Sequence, residues 1–146
     1  MNRHLVRTIL VIAALGCASA TQAQVFSDKV VGKRNAALAD SLDRLDVLVN
    51  NAGAVFAGGH DEWSGPGFEA ALALNLVGPM RLSTACRPLL AASALEGGAS
   101  VVNVVSMAAF RAVPMVPGYS AAKAGLVATT RNLAAQWVGD GIRVNA

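Results

Sequence analysis

Two short apolar, β-branched runs, residues 45–49 and 100–105, constrain this chain more than any other feature. Both are near-continuous rather than alternating, so each predicts a strand buried on both faces. Each is followed by a long stretch with helical periodicity, 68–90 and 119–138. A third run, Ile142-Arg143-Val144, opens directly after Gly139-Asp140-Gly141. Strand and helix alternating at these lengths predict an α/β fold, a doubly wound parallel sheet with helices on both faces.

Composition agrees with that architecture. Hydrophobic residues make up 54% of the 146 residues and charged residues 14%, enough apolar surface for one domain with a core. The net charge of +3 arises in residues 1–40, which carry five basic and two acidic side chains. The remaining residues carry seven of each, and no basic-aromatic patch points to nucleic acid. Cys17 and Cys86, with His4 and His60, lack metal-ligand spacing, so no metal site is expected.

Local signals divide the chain further. Residues 35–44 predict a short amphipathic helix, and 54–67 a glycine-rich loop containing His60 and Pro66. Pro79 is expected to bend the first long helix, with Pro88 near its end. Gly97-Gly98 breaks the chain before the second strand, and 111–118, with Pro114 and Pro117, reads as a loop.

The segment 1–26 supports two readings. A basic start, an uncharged stretch over 8–27 and Ala18-Ser19-Ala20 together have the layout of a cleaved leader. Alternatively, 8–13 is a buried strand that leads into a degenerate first helix near 18–26. Gln22 and Gln24 make a permanent membrane span a poor fit.

Four small motifs carry chemistry only when taken together. Asn50-Asn51-Ala52-Gly53 follows the first strand, where an open parallel sheet places its ligands. The asparagine amides there can tie adjacent strand ends together, although an ordinary Asn-Gly-type turn has the same look. Asn75 lies in mid-helix between Leu74 and Leu76, where it is either a buried amide that must find partners or a polar residue on the helix's exposed side. Ser106 follows the second strand and could equally be a turn cap. Tyr119 and Lys123 are one helical turn apart, so the lysine's charge can favour the phenolate and bring its pKa toward the working range, although such a pair can also simply lie on a solvated face.

This set, with twelve residues between Ser106 and Tyr119 and the closing Gly141-Ile142-Arg143-Val144-Asn145-Ala146, resembles the short-chain dehydrogenase/reductase family. The resemblance covers roughly residues 43–146 and implies a Rossmann-like sheet, incomplete at both ends. It implies NAD(P)-dependent interconversion of an alcohol and a ketone or aldehyde. Tyr119 would be the general acid/base, and Lys123 would depress its pKa and bind the nicotinamide ribose. Ser106 would orient the substrate oxygen. Asn75 would interrupt its helix to hold a water in a proton relay with Lys123. Asn51, Ala52 and Gly53 would line the adenosine side of NAD or NADP. Residues 27–146 would form a partial catalytic domain, with 68–90 and 119–138 packing against a second copy.

Departures from the family pattern keep a second function open. The positions of the family's glycine-rich pyrophosphate turn are filled by Ile12, Ala13, Cys17 and Ser19. Glycines there admit the phosphates to a helix N-terminus, and a Cβ obstructs that approach. Only 30 residues separate Ala20 from Asn50, where the family fits two strands and a helix. The alternative is therefore a catalytically inactive oligomerising module. A nicotinamide enzyme implies the cytoplasm, whereas a cleaved leader over 1–20 implies a periplasmic or secreted protein that binds without turnover.

Overall fold

The computed structural model describes residues 9–12 and 43–146. The cleavage-like Ala18-Ser19-Ala20, the helix near 18–26, the glycine-turn positions Ala13, Cys17 and Ser19, and all but the end of the amphipathic segment 35–44 lie outside them. Four strands form one all-parallel sheet in the order β1 (Ile9–Ile12), β2 (Val47–Asn50), β3 (Ala99–Asn103), β4 (Ile142–Asn145). Between β2 and β3 the chain forms α1 (Gly65–Leu72), a π-helical segment (Ala73–Val77) and α2 (Gly78–Ala91). Between β3 and β4 it forms α3 (Pro117–Trp137). This is an incomplete Rossmann-like α/β fold.

Parallel neighbours must be joined by crossovers. Successive right-handed crossovers running one way across a sheet lay their helices on the same face. The described residues thus show one helical layer, over the face carrying Leu48, Val101, Ile142 and Val144. Leu82, Cys86 and Leu90 recur every fourth residue along α2, and Leu133 and Trp137 do so on α3. They close one core with Leu45, Leu48, Ala99 and Val101. Each fully buried leucine contributes about 1.5–3 kcal/mol. Arg87 lashes α2 to the end of α3 within that layer: it donates to Asp140 Oδ2 at 2.7 Å and lies 5.5 Å from the centroid of the Trp137 ring.

Several boundaries differ from the sequence expectation, each for a local reason. The first run enters the sheet at Val47, because the Leu45 N–H donates to Leu89 O rather than to a strand. Asp46 inside that run is buried, where it accepts from Ser93 Oγ at 2.7 Å and faces Arg44. The second run ends at Asn103, two residues early, as Val104 turns its carbonyl to a side chain. Residues 65–67 and 117–118 are helical, not loop. Ser64 caps α1 by accepting from the Gly67 N–H at 3.1 Å, and Pro117 occupies the first turn of α3, where a missing N–H costs nothing. Among the described residues no helix is long and apolar enough to cross a membrane.

Candidate active site

The carboxyl ends of β2 and β3 are joined by a buried chain of polar side chains. Their register places Asn50 beside Asn103, both on the helix-covered face. Asn50 Nδ2 donates to Asn103 Oδ1 at 2.7 Å and to Ser83 Oγ at 2.9 Å. Asn103 Nδ2 donates to Thr130 Oγ1 at 2.9 Å, and Thr130 returns its proton to Leu126 O at 2.7 Å. The strand ends are thereby tied to each other and to α2 and α3, so the loops that leave them start from fixed positions. Asn103→Ala strands the amides and hydroxyls it satisfied. It is expected to cost about 1–3 kcal/mol in urea unfolding, and a midpoint equal to wild type would contradict this network.

Beyond Asn50 the chain passes through Asn51, which is exposed, to the half-buried Ala52 and Gly53. Gly53 is where three elements converge. A Cβ there would lie 2.7 Å from Asn75 Oδ1 and 3.3 Å from Lys123 Nζ, so no side chain fits without displacing both. Asn75 is fully buried in the π-helical segment, an irregularity often associated with functional sites. Its Oδ1 accepts from the Ala54 N–H at 3.1 Å, while Nδ2 donates to Ala54 O at 2.9 Å and Ala71 O at 3.0 Å. The amide is spent on clamping the loop after β2. In addition, Pro79 cannot supply the N–H that a regular helix would offer the Asn75 carbonyl.

Lys123 is 3% exposed and donates to Val104 O at 2.7 Å, immediately beyond β3. Its ammonium lies 5.6 Å from the centroid of the Tyr119 ring, one turn earlier on α3. Burial lowers its pKa from the ordinary lysine value of 10.5. The folded protein therefore holds this proton less tightly than the unfolded chain does. Stability from this group rises with pH between the folded-state pKa and 10.5, and is lost as pH falls through the folded-state pKa. Lys123→Met removes the desolvation cost. The variant is expected to be at least as stable as wild type at neutral pH, with the difference shrinking as pH approaches the lysine range. Thermal unfolding across pH checks this, and a destabilised variant with a pH-independent gap would refute it.

Ser106 lies three residues past β3 with an extended backbone. Its Oγ accepts from the Ala108 N–H at 3.2 Å, capping the short turn Met107–Ala109, and the hydroxyl can still donate outward. The structure thus brings Gly53, Asn75 and Lys123 into direct proximity, with Tyr119 over Lys123. Ser106 sits on the same carboxyl edge, at the opposite end of the loop that leads into α3.

Sequence reasoning missed Glu62, Ser83, Asn103 and Thr130. Asn103 is hidden within an apolar run, and its pairing with Asn50 is set by strand register, which the run itself does not reveal. Glu62 gave no signal, because the partner that matters, the Tyr119 amide, is 57 residues away in sequence.

A nicotinamide cofactor, which the family resemblance implies, would need hydrogen-bond donors for its ribose at this edge. Gly53 lets the loop after β2 pass close against Asn75 Oδ1 and Lys123 Nζ, and the buried ammonium has more donors than the Val104 carbonyl uses. A ribose hydroxyl would suit those spare donors.

Comparison with known proteins places the chain in context. The family model described as enoyl-(acyl carrier protein) reductase matches residues 2–146. An uncharacterized oxidoreductase of Thermotoga maritima is 41% identical over 107 residues, covering 73% of this chain and 41% of that protein. D-threitol dehydrogenase of Mycolicibacterium smegmatis is 36% identical over 109 residues, covering 75% and 41%. Among solved structures, the Pseudomonas aeruginosa RhlG/NADP active-site complex superposes with a TM-score of 0.71 at 31% identity, covering 83% of this chain and 48% of that one. The chain spans less than half the length of these relatives.

Proposed function

Because the chain belongs to the short-chain dehydrogenase/reductase family, we propose that it performs the proton-transfer half of an NAD(P)-dependent interconversion of an alcohol and a ketone or aldehyde. The observation that carries this reading is the buried Lys123 ammonium, fixed by Val104 O and set 5.6 Å from the Tyr119 ring centroid. When bound, the nicotinamide would supply or accept the hydride.

Each residue then has a defined task. Tyr119 gives its phenolic proton to a ketone oxygen, or takes one from an alcohol. Lys123 stabilises negative charge on the Tyr119 oxygen while that proton is away, and donates to the ribose. Ser106 donates to the substrate oxygen and orients it. Asn75 holds the loop after β2 through its amide and leaves its main-chain carbonyl for a water that relays protons toward Lys123. Asn51, Ala52 and Gly53 line the adenosine side. Selection between NAD and NADP does not reside in these residues.

The family match from residue 2 and the pairing of Ile9–Ile12 with β2 support reading residues 9–12 as a strand of the domain's sheet. A nicotinamide-dependent reaction then fits the cytoplasm. Incubating the purified chain with NADPH or NADH and a panel of ketones and aldehydes tests the reading. Cofactor oxidation that requires a carbonyl supports it, and none with any carbonyl overturns it.

A second reading, a non-catalytic oligomerising module, draws on the outward faces of α2 and α3, which expose Met80, Ala121, Ala124 and Ala128. A monomer in sedimentation analysis at all concentrations would eliminate that alternative.

A further inference from the structure

We infer that Glu62 is a positioning residue for Tyr119, holding the peptide that carries the acid/base. The inference rests on the oxidoreductase reading above and extends its site by one residue.

Glu62 lies in the loop between β2 and α1, yet its side chain is 0% exposed. Both carboxylate oxygens are occupied by backbone donors from two separate segments. Oε1 accepts from the Phe56 N–H at 2.8 Å, and Oε2 accepts from the Tyr119 N–H at 2.7 Å. A buried carboxylate is costly unless hydrogen-bonded in this way.

The helix needs this acceptor. Val116 precedes α3 and has no side-chain oxygen to cap it, while Pro117 has no N–H. Tyr119 is the third residue of α3, so its amide has no partner inside the helix. Glu62 caps the helix from 57 residues away, and negative charge at a helix N-terminus is favourable.

Neighbouring contacts leave the helix start little slack. A Cβ on Gly118 would lie 2.9 Å from Ala71 Cβ, 3.1 Å from Phe68 Cα and 3.3 Å from Glu62 Oε2. The adjacent Trp63 donates its indole N–H to Pro114 O at 2.8 Å. Glu62 and Trp63 therefore grip the approach to α3 at two points, five residues apart. At its other end Glu62 holds Phe56, the one non-glycine residue with positive φ (49°) among those described. A residue in that conformation persists only where its surroundings enforce it.

Ser106 and Tyr119 sit at opposite ends of the loop that this grip fixes. Releasing Glu62 frees the first turn of α3, so the phenol shifts relative to Ser106 and the substrate oxygen. Such a misplacement should reduce turnover with little effect on cofactor affinity.

The test uses the full chain with Glu62→Gln and Glu62→Ala, and Leu90→Ala as a core-destabilised control remote from the site. Glutamine keeps the volume and one acceptor, so it serves if the alanine variant does not fold. Amide exchange at Tyr119 and Phe56 is expected to accelerate about tenfold relative to the rest of α3. Turnover should fall about 10- to 100-fold with the cofactor KM unchanged, while Leu90→Ala retains turnover at a temperature where it is folded. Unchanged Tyr119 exchange, unchanged turnover, or an equal loss in Leu90→Ala would overturn the inference. A wild-type chain without turnover overturns the oxidoreductase reading instead, and the exchange rates then decide alone whether Glu62 holds Tyr119.

Discussion

Tyr119→Phe is expected to lower carbonyl reduction by about a hundred- to ten-thousand-fold, the range for losing a positioned general acid/base. The substitution removes one oxygen and keeps the ring that lies over Lys123. The effect should therefore fall on the chemical step and leave cofactor affinity near that of wild type. Tyr119 is the sole tyrosine of the chain, so no second phenol can replace it. NADPH consumption under saturating carbonyl measures the loss. A variant that retains most of its turnover would assign proton transfer to another group, and the roles of Lys123 and Ser106 would fall with it.

Gly98→Ala is expected to produce the largest loss of stability among single-methyl substitutions. Gly98 has φ of +76° and immediately precedes β3, beside Gly141, which precedes β4. A Cβ at this position would lie 1.9 Å from Gly141 O and 2.9 Å from its carbonyl carbon, so backbone rather than a pliable side chain must yield. The left-handed conformation costs an L-residue about 1–2 kcal/mol. Displacing packed backbone adds about 1–3 kcal/mol. Arg143 worsens the conflict, because it donates to Gly97 O and Gly98 O and resists movement of that turn. The combined loss is a large share of the roughly 5–15 kcal/mol that holds a domain together. Gly139→Ala is the control: nothing lies within 4 Å of its Cβ position, and its stability should match or slightly exceed wild type. Urea unfolding of both variants decides. Equal midpoints would mean that the amino ends of β3 and β4 do not approach as described.

Much of the fold was legible because its signals are local and periodic. The apolar runs that became β2 and β3 and the helical spacing of α2 and α3 need only neighbouring residues to be read. The Tyr119–Lys123 pair was legible for the same reason, since one helical turn fixes its proximity. The asparagines after β2 were open to two readings, a tie between strand ends or an ordinary turn; Asn50 makes the tie, but its partner Asn103 depends on strand register. Register is decided across the sheet and is invisible in one run. Glu62 marks the limit more sharply. Between His60-Asp61 and Trp63 it looks like one more solvated loop charge, and only tertiary structure delivers it to an amide 57 residues away. Asn75 lay between these cases: its burial could be inferred from the apolar helix around it, but not the π-helical turn or its clamp on Ala54.

One tension remains between the two ends of the cofactor. The proposed ribose end has a buried ammonium with donors to spare, whereas the sequence offers Ile12, Ala13, Cys17 and Ser19 where glycines usually admit the pyrophosphate. Lys123 alone is a poor anchor for a whole dinucleotide, so affinity reports directly on whether the chain assembles a working site. Isothermal titration of the intact chain with NADPH and with NADH is the measurement that meets this point. Saturable binding of either, at one site per chain, is the predicted result. Absence of binding of both at millimolar concentration would contradict it and leave Tyr119 and Lys123 as a proton-transfer site without a hydride partner.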